Sequence, residues 1–371
     1  MVLQRLLKDN VTTVHGLQKY LKFDAGEIVR LEALAARFPL SIPPYYLSLI
    51  DPSDPEDPIR RMSVPDLSEE DPDGSFDTSG EACNTVEDGV QHKYGTTALV
   101  LSTHACAMYC RHCFRKRLVG LENQETGQRV DKVIDYVREH PEINNVLLSG
   151  GDALLNPTRR LKAFLEGLCA IDHLDAVRIC TRTPVVLPMR IYEDAELLDL
   201  LRTCSRTKRL YMVTQFNHPR ELTEQALRAV KEIEACGVTL RNQTVLLRGV
   251  NDDAEILGLL LKRLVHAGVL PYYVFQCRPV TGVKNRFQVP FAQGYDIVKR
   301  AKSMQSGLGK GFRYVLSHET GKIEILGPSP ASSAWLFKYH QAKDAADDGR
   351  LFMTELEPGQ CWLTSANVRR P

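Results

Sequence analysis

Three cysteines fall within eight residues, Cys106-Ala-Met-Tyr-Cys110-Arg-His-Cys113. Thiolates at this spacing can hold three corners of a [4Fe–4S] cluster, which ordinarily takes four cysteines. No fourth cysteine follows in the loop, so one iron is left for another ligand. By analogy with zinc, an open metal position marks a catalytic centre rather than a structural one. A zinc knuckle completed by His104 or His112 is a second reading of the same residues, and a disulfide framework a third.

A second motif, Ser149-Gly150-Gly151-Asp152, closes an apolar run at 145–149. Two glycines at a strand end let backbone approach a ligand, and the carboxylate beside them can accept a hydrogen bond from an amine. A plain strand-to-helix turn accounts for the same residues.

The elements that must position these motifs are legible as a repeat. Apolar runs at 97–102, 145–149, 176–181, 209–215, 239–247 and 270–277 predict strands. Amphipathic stretches near 131–140, 158–170, 193–204, 223–236 and 254–267 predict helices between them. Short strands alternating with helices predict an α/β fold of βα units around a parallel sheet. Six such units make a partial barrel, with chemistry gathered at the C-terminal strand ends. The cysteine loop follows the first strand.

Residues 1–90 are expected to form an N-terminal helical region and an acidic linker, with 65–92 a long surface connection. Residues 91–295 make the barrel, and 296–371 a C-terminal extension over its mouth. The net charge of +1 gives no reason to expect nucleic acid or a membrane surface. No apolar run approaches the ~18 residues of a membrane span, and the first ten residues lack the apolar core of a signal peptide. Ten cysteines in 371 residues are not a disulfide scaffold. Free thiols and an oxygen-sensitive cluster fit a reducing cytoplasm.

The cysteine spacing resembles that of the radical SAM superfamily, in which S-adenosylmethionine (SAM) chelates the open iron and is cleaved to a deoxyadenosyl radical. Further runs make the resemblance specific. Pro44-Tyr-Tyr-Leu-Ser-Leu-Ile-Asp51, Leu148-Ser-Gly-Gly-Asp-Ala-Leu-Leu155, Arg182-Thr-Pro-Val-Val-Leu-Pro188, Phe216-Asn-His-Pro219 and Pro271-Tyr-Tyr-Val-Phe-Gln-Cys277 stand in family order. With Asn242-Gln-Thr-Val-Leu-Leu-Arg-Gly-Val-Asn-Asp252 they resemble the lysine 2,3-aminomutase family, whose members use a radical SAM partial barrel and pyridoxal 5′-phosphate (PLP).

The resemblance implies roles for individual residues. Cys106, Cys110 and Cys113 would ligate the cluster. His112 would flank the SAM adenine, and Gly150, Gly151 and Asp152 would meet its amino group. Arg182, Gln215 and Gln243 would make further cofactor contacts. Arg115 would clamp the substrate carboxylate, a task suited to a planar guanidinium. Lys322, in a loop between strands, would carry PLP as an imine, with Lys310 the rival position. Lys93 and Tyr94 would bind the PLP phosphate, where the family has arginines and a tyrosine.

The departures concern the substrate. Where the family's lysine mutases hold the substrate ammonium with two aspartates, this chain has Arg278 and Ser317. A cation facing an ammonium repels it, so the pocket is expected to suit glutamate or another acidic or polar amino acid. The zinc-binding cysteines of the family are absent, with Asp253 at one such position, and no structural zinc is expected. The resemblance thus implies an isomerase that moves an amino group from Cα to Cβ. It would be a homo-oligomer reduced by an external donor such as flavodoxin or ferredoxin. The alternatives are a lysine 2,3-aminomutase proper, an aminomutase of a lysine on a partner protein, a PLP-free radical SAM enzyme, and an iron–sulfur electron carrier or sensor.

Overall fold

A computed structural model describes residues 2–121, 125–127 and 129–369. Twelve strands form one sheet whose order in space is their order in the chain. The first three are β1 (Thr85–Glu87), β2 (Val90–Tyr94) and β3 (Thr97–Thr103). Next come β4 (Asn145–Gly150), β5 (Ala176–Cys180), β6 (Arg209–Thr214), β7 (Thr239–Leu246) and β8 (Leu270–Gln276). The last are β9 (Arg313–His318), β10 (Gly321–Pro328), β11 (Trp335–Ala342) and β12 (Leu351–Thr354).

β3 to β8 pair parallel in succession, which is the six-unit set the apolar runs predict. β9 then adds a seventh parallel strand beside β8. The helix leading into it, Phe291–Ser303, spans the expected boundary at 295/296, and the sheet runs on past it. Antiparallel strands extend both edges, β1 and β2 before the parallel set and β10 to β12 after it.

Three of the helices between parallel strands, Ala195–Thr207, Glu224–Ala235 and Ala254–His266, start where short polar side chains cap them. Asp194 accepts from the Leu197 amide, Thr223 from Ala226, and Asp253 from Glu255 and Ile256. Each satisfies an amide that the first helical turn leaves without an intrahelical partner. Alternation along the strands separates two environments. On β5, Val177 and Ile179 are fully buried in the main hydrophobic cluster, while Arg178 and Cys180 line the barrel's interior cavity.

The N-terminal region braces the cysteine loop. Ser41 and Met62 carbonyls accept the amides of Tyr109 and Arg111, and the Asn10 side chain donates to the Ala107 carbonyl. The expected surface connection at 65–92 is exposed over much of its length but is anchored inward at Glu69 and Glu81, whose carboxylates meet buried cations. Glu69 is fully buried and accepts from Arg111 at 2.9 and 2.6 Å, with Lys116 on the same carboxylate and Arg286 at 3.4 Å. Burial would push its carboxyl up, but Arg111 and Lys116 outweigh that and hold it at about 2.

Candidate active site

A cavity of ≈ 330 Å³ opens inside the barrel, within the roughly 300–1,000 Å³ of small-molecule sites. Its wall includes Cys106, Cys110 and Cys113 from the loop after β3, and Gly150, Gly151 and Asp152 from the end of β4. Arg182, Gln215 and Arg278 come from just past the ends of β5, β6 and β8, and Gln243 from within β7. His112, Arg115, Lys93, Tyr94, Ser317 and Lys322 complete the set, so these sixteen residues picked out in the sequence line one space. Lys310 is exposed and outside it.

The three thiols are unpaired with other cysteines. The loop that carries them crosses the end of β4 at close range. A Cβ on Gly150, whose φ is +116°, would lie 2.2 Å from the Thr103 carbonyl oxygen, and one on Gly151 2.3 Å from that of Ala105. The glycines therefore let the loop cross, which is their evident structural task. Asp152 locks the crossing: its carboxylate accepts from the Leu154 amide, Thr181 Oγ1 and the Arg182 amide at 3.0, 2.5 and 2.7 Å.

Among the described residues, no three His, Cys, Asp or Glu side chains converge on a point that a single ion could occupy. His104 does not line the cavity, and His112 Nε2 accepts from Asn217 at 3.2 Å. Neither histidine is disposed to complete a zinc knuckle. Burial keeps His112 neutral, and its Nδ1 has no partner among the described residues. The donor set, soft thiolates on one loop beside cationic donors, suits an iron–sulfur cluster.

The other end of the cavity is cationic. Lys322 is the second residue of β10, past the turn rather than in it, and pairs across the hairpin with Ser317. Burial, with Arg178, Arg278 and Lys93 nearby, lowers its ammonium to about 7. Lys93 is likewise lowered to about 7 by burial and by Arg278. Imine formation requires a neutral amine, and an ammonium lowered to about 7 supplies one in substantial fraction near neutral pH; the surrounding cations suit a phosphate. These residues fit PLP.

Two acidic side chains line the cavity, Asp152 and Glu81. Glu81 Oε1 lies 2.9 Å from both Nε and Nη2 of Arg115, and Arg115 Nη1 donates to Ser149 Oγ and the Gly150 carbonyl. Most of that guanidinium is therefore engaged within the protein. Arg278 donates to Ser79 Oγ at 2.7 Å and stacks 4.1 Å from the Phe114 ring centroid. Sequence reasoning missed Glu81 and Ser79, which sit in the acidic stretch taken as a surface connection. It also missed Arg178, which strand alternation alone could have assigned to the interior.

Fold and cavity are those of an enzyme that carries its chemistry at the C-terminal ends of barrel strands. Residues 100–260 match the family described as the Radical SAM superfamily. The chain is 43% identical over 335 residues to a putative L-lysine 2,3-aminomutase of Aquifex aeolicus, covering 90% of this chain and 89% of that protein. It is 38% identical to the L-lysine 2,3-aminomutase of Clostridium subterminale, covering 81% of this chain and 72% of the relative. It is 36% identical to the glutamate 2,3-aminomutase of Clostridioides difficile, covering 81% and 71%. The chain belongs to the lysine 2,3-aminomutase family of radical SAM enzymes. It is an isomerase whose cofactors are a [4Fe–4S] cluster, SAM and PLP.

Proposed function

We propose that this aminomutase moves the α-amino group of an acidic or polar amino acid, glutamate first among them, to Cβ. The observation that carries this reading is Arg278 in the cavity wall with no free carboxylate to oppose it. Glu81 is engaged by Arg115, and Asp152 by three donors. The ε-ammonium of a lysine substrate would find only Glu81, already paired with Arg115, and would face a guanidinium, an arrangement that costs several kcal/mol.

In this reading Cys106, Cys110 and Cys113 hold the cluster, and His112, Gly150, Gly151, Asp152, Arg182, Gln215 and Gln243 surround SAM. Lys322, Lys93 and Tyr94 hold PLP, and Arg115, Arg278 and Ser317 receive the substrate. When bound, the cluster and SAM supply a carbon radical that takes and returns a substrate hydrogen, while PLP supplies an aldehyde for the migrating amine and an electron sink. The chain's own part is placement. Lys322, lowered to about 7, offers a substantial fraction of unprotonated Nζ near neutral pH and would hold the cofactor until the incoming amine takes its place. Arg278 orients the substrate by its carboxylate, and the barrel wall keeps water from the radical.

The ten free thiols support a reducing cytoplasm. Electrons would come from a small external donor such as flavodoxin or ferredoxin. The exposed Leu351 and Met353 on β12 support assembly with further copies of the chain. Anaerobic turnover with SAM, PLP, a reductant and a panel of amino acids, read by NMR of the products, tests the reaction. β-Glutamate from glutamate supports it, and β-lysine as the main product overturns it.

A further inference from the structure

Arg182 stands just past β5 and is 7% exposed. Its Nη1 donates to Cys110 Sγ at 2.8 Å. Its Nη2 donates to Glu221 Oε1 at 2.5 Å and to the Tyr46 hydroxyl at 3.1 Å, and its Nε to the Gln215 carbonyl at 3.2 Å. Its backbone N–H is held by Asp152 at 2.7 Å.

Glu221 is itself fully buried and fixed. Oε1 also accepts from the Tyr46 hydroxyl at 2.6 Å, and Oε2 from the Asn217 and His218 amides at 2.6 and 3.0 Å. The guanidinium is thus anchored from several separate segments of the chain and aimed at one cysteine of the triad. A structural ion pair needs only Glu221, and the N–H directed at sulfur is surplus to that task.

We propose that Arg182, held by Glu221, sets the reduction potential of the iron–sulfur cluster by a charge-assisted hydrogen bond to Sγ of Cys110. This rests on Cys110 being a cluster ligand. The step concerned is a one-electron reduction. The external donor loses one electron, the cluster gains it, and no proton or covalent bond changes. Reduction adds a negative charge to the cluster and its thiolates. A fixed cation and N–H at a ligand sulfur favour the more negative state, and so raise the potential. In a buried site the effect is weakly screened. Glu221 acts in the opposite sense, since its carboxylate offsets part of the arginine's charge. Arg182 is therefore a tuning residue that acts through Cys110, and Glu221 is its counterweight.

EPR-monitored redox titration of the reconstituted holoenzyme, poised with dithionite and mediators, tests this. Arg182→Gln is expected to move the midpoint to a more negative value, and Glu221→Gln to a less negative one. Arg182→Lys, which keeps the charge and loses the fork, should fall between Arg182→Gln and the native protein. Opposite shifts from the two members of one ion pair are not what a packing defect produces. Iron and sulfide content, measured in parallel, identifies variants that fail to hold the cluster. In that event the Glu221→Gln shift alone decides the matter. Midpoints that stay unmoved, or that all move the same way, overturn the inference while leaving the ligand set standing. A Cys110→Ala protein with native iron content and native EPR would remove Cys110 from the ligands and overturn both.

Discussion

The Nζ of Lys322 lies 4.3 Å from the centroid of the Tyr273 ring, inside the barrel. An ammonium over an aromatic face is normally favoured, yet burial and the neighbouring Arg178, Arg278 and Lys93 bring this one down to about 7. The folded protein therefore disfavours the charged form. That penalty is fully present below pH 7 and is relieved as pH rises from about 7 toward the ordinary value of 10.5. The apoprotein should take up PLP with a pH midpoint near 7, read from the absorbance of the lysine-bound cofactor. Lys322→Ala should abolish that band, and a band retained in the variant would move the attachment to another lysine.

Glu69 makes the opposite case. Its carboxyl is held at about 2 against an ordinary value of 4.5, a difference worth about 3 kcal/mol. That stability is present above pH 4.5 and is lost as pH falls to about 2. Glu69→Gln leaves Arg111 and Lys116 buried with no full charge opposite them. It should cost about 3–5 kcal/mol at pH 7 and flatten the acid limb of the stability curve, both measurable by urea unfolding across pH. An acid limb as steep as the native one would place the titrating group elsewhere.

Glu81 occupies the guanidinium edge of Arg115 that a substrate carboxylate would use. Glu81→Gln should weaken this competition and lower KM for the amino acid roughly tenfold, about 1.4 kcal/mol, with kcat little changed. A KM that rises instead would mean that Glu81 positions Arg115 for the substrate rather than competing with it.

Arg278→Asp should lower kcat/KM for an acidic substrate by roughly a hundredfold, about 3 kcal/mol, and raise it for lysine. Equal effects on both substrates would place the residue outside the substrate's reach.

What was legible in the sequence was local. Each parallel strand from β3 to β8 is an apolar run closed by a polar turn, so position and order could be read directly. The cysteine triad and the Gly150-Gly151-Asp152 turn are short and carry their chemistry in their spacing. The hidden parts depend on partners distant in the chain. Glu69 looks like one acid among many in a solvated stretch until Arg111 and Lys116, more than forty residues on, close over it. Glu81 was lost in the same stretch for the same reason. β2, Val-Gln-His-Lys-Tyr, lacks the apolar content of a buried strand because it flanks the parallel set and lines the cavity. β9 carries a short apolar run, Tyr314 to Leu316. Its parallel pairing is not evident there, because the helix that leads into it, Phe291–Ser303, lies across the boundary at which the barrel was expected to end.

The most direct test of the account is a competition between L-glutamate and L-lysine in one anaerobic vessel with the fully reconstituted enzyme. The measured quantity is the ratio of their kcat/KM values. An Arg278 wall with no free carboxylate predicts a ratio of roughly a hundred or more in favour of glutamate. A ratio below one, with β-lysine accumulating first, would contradict it.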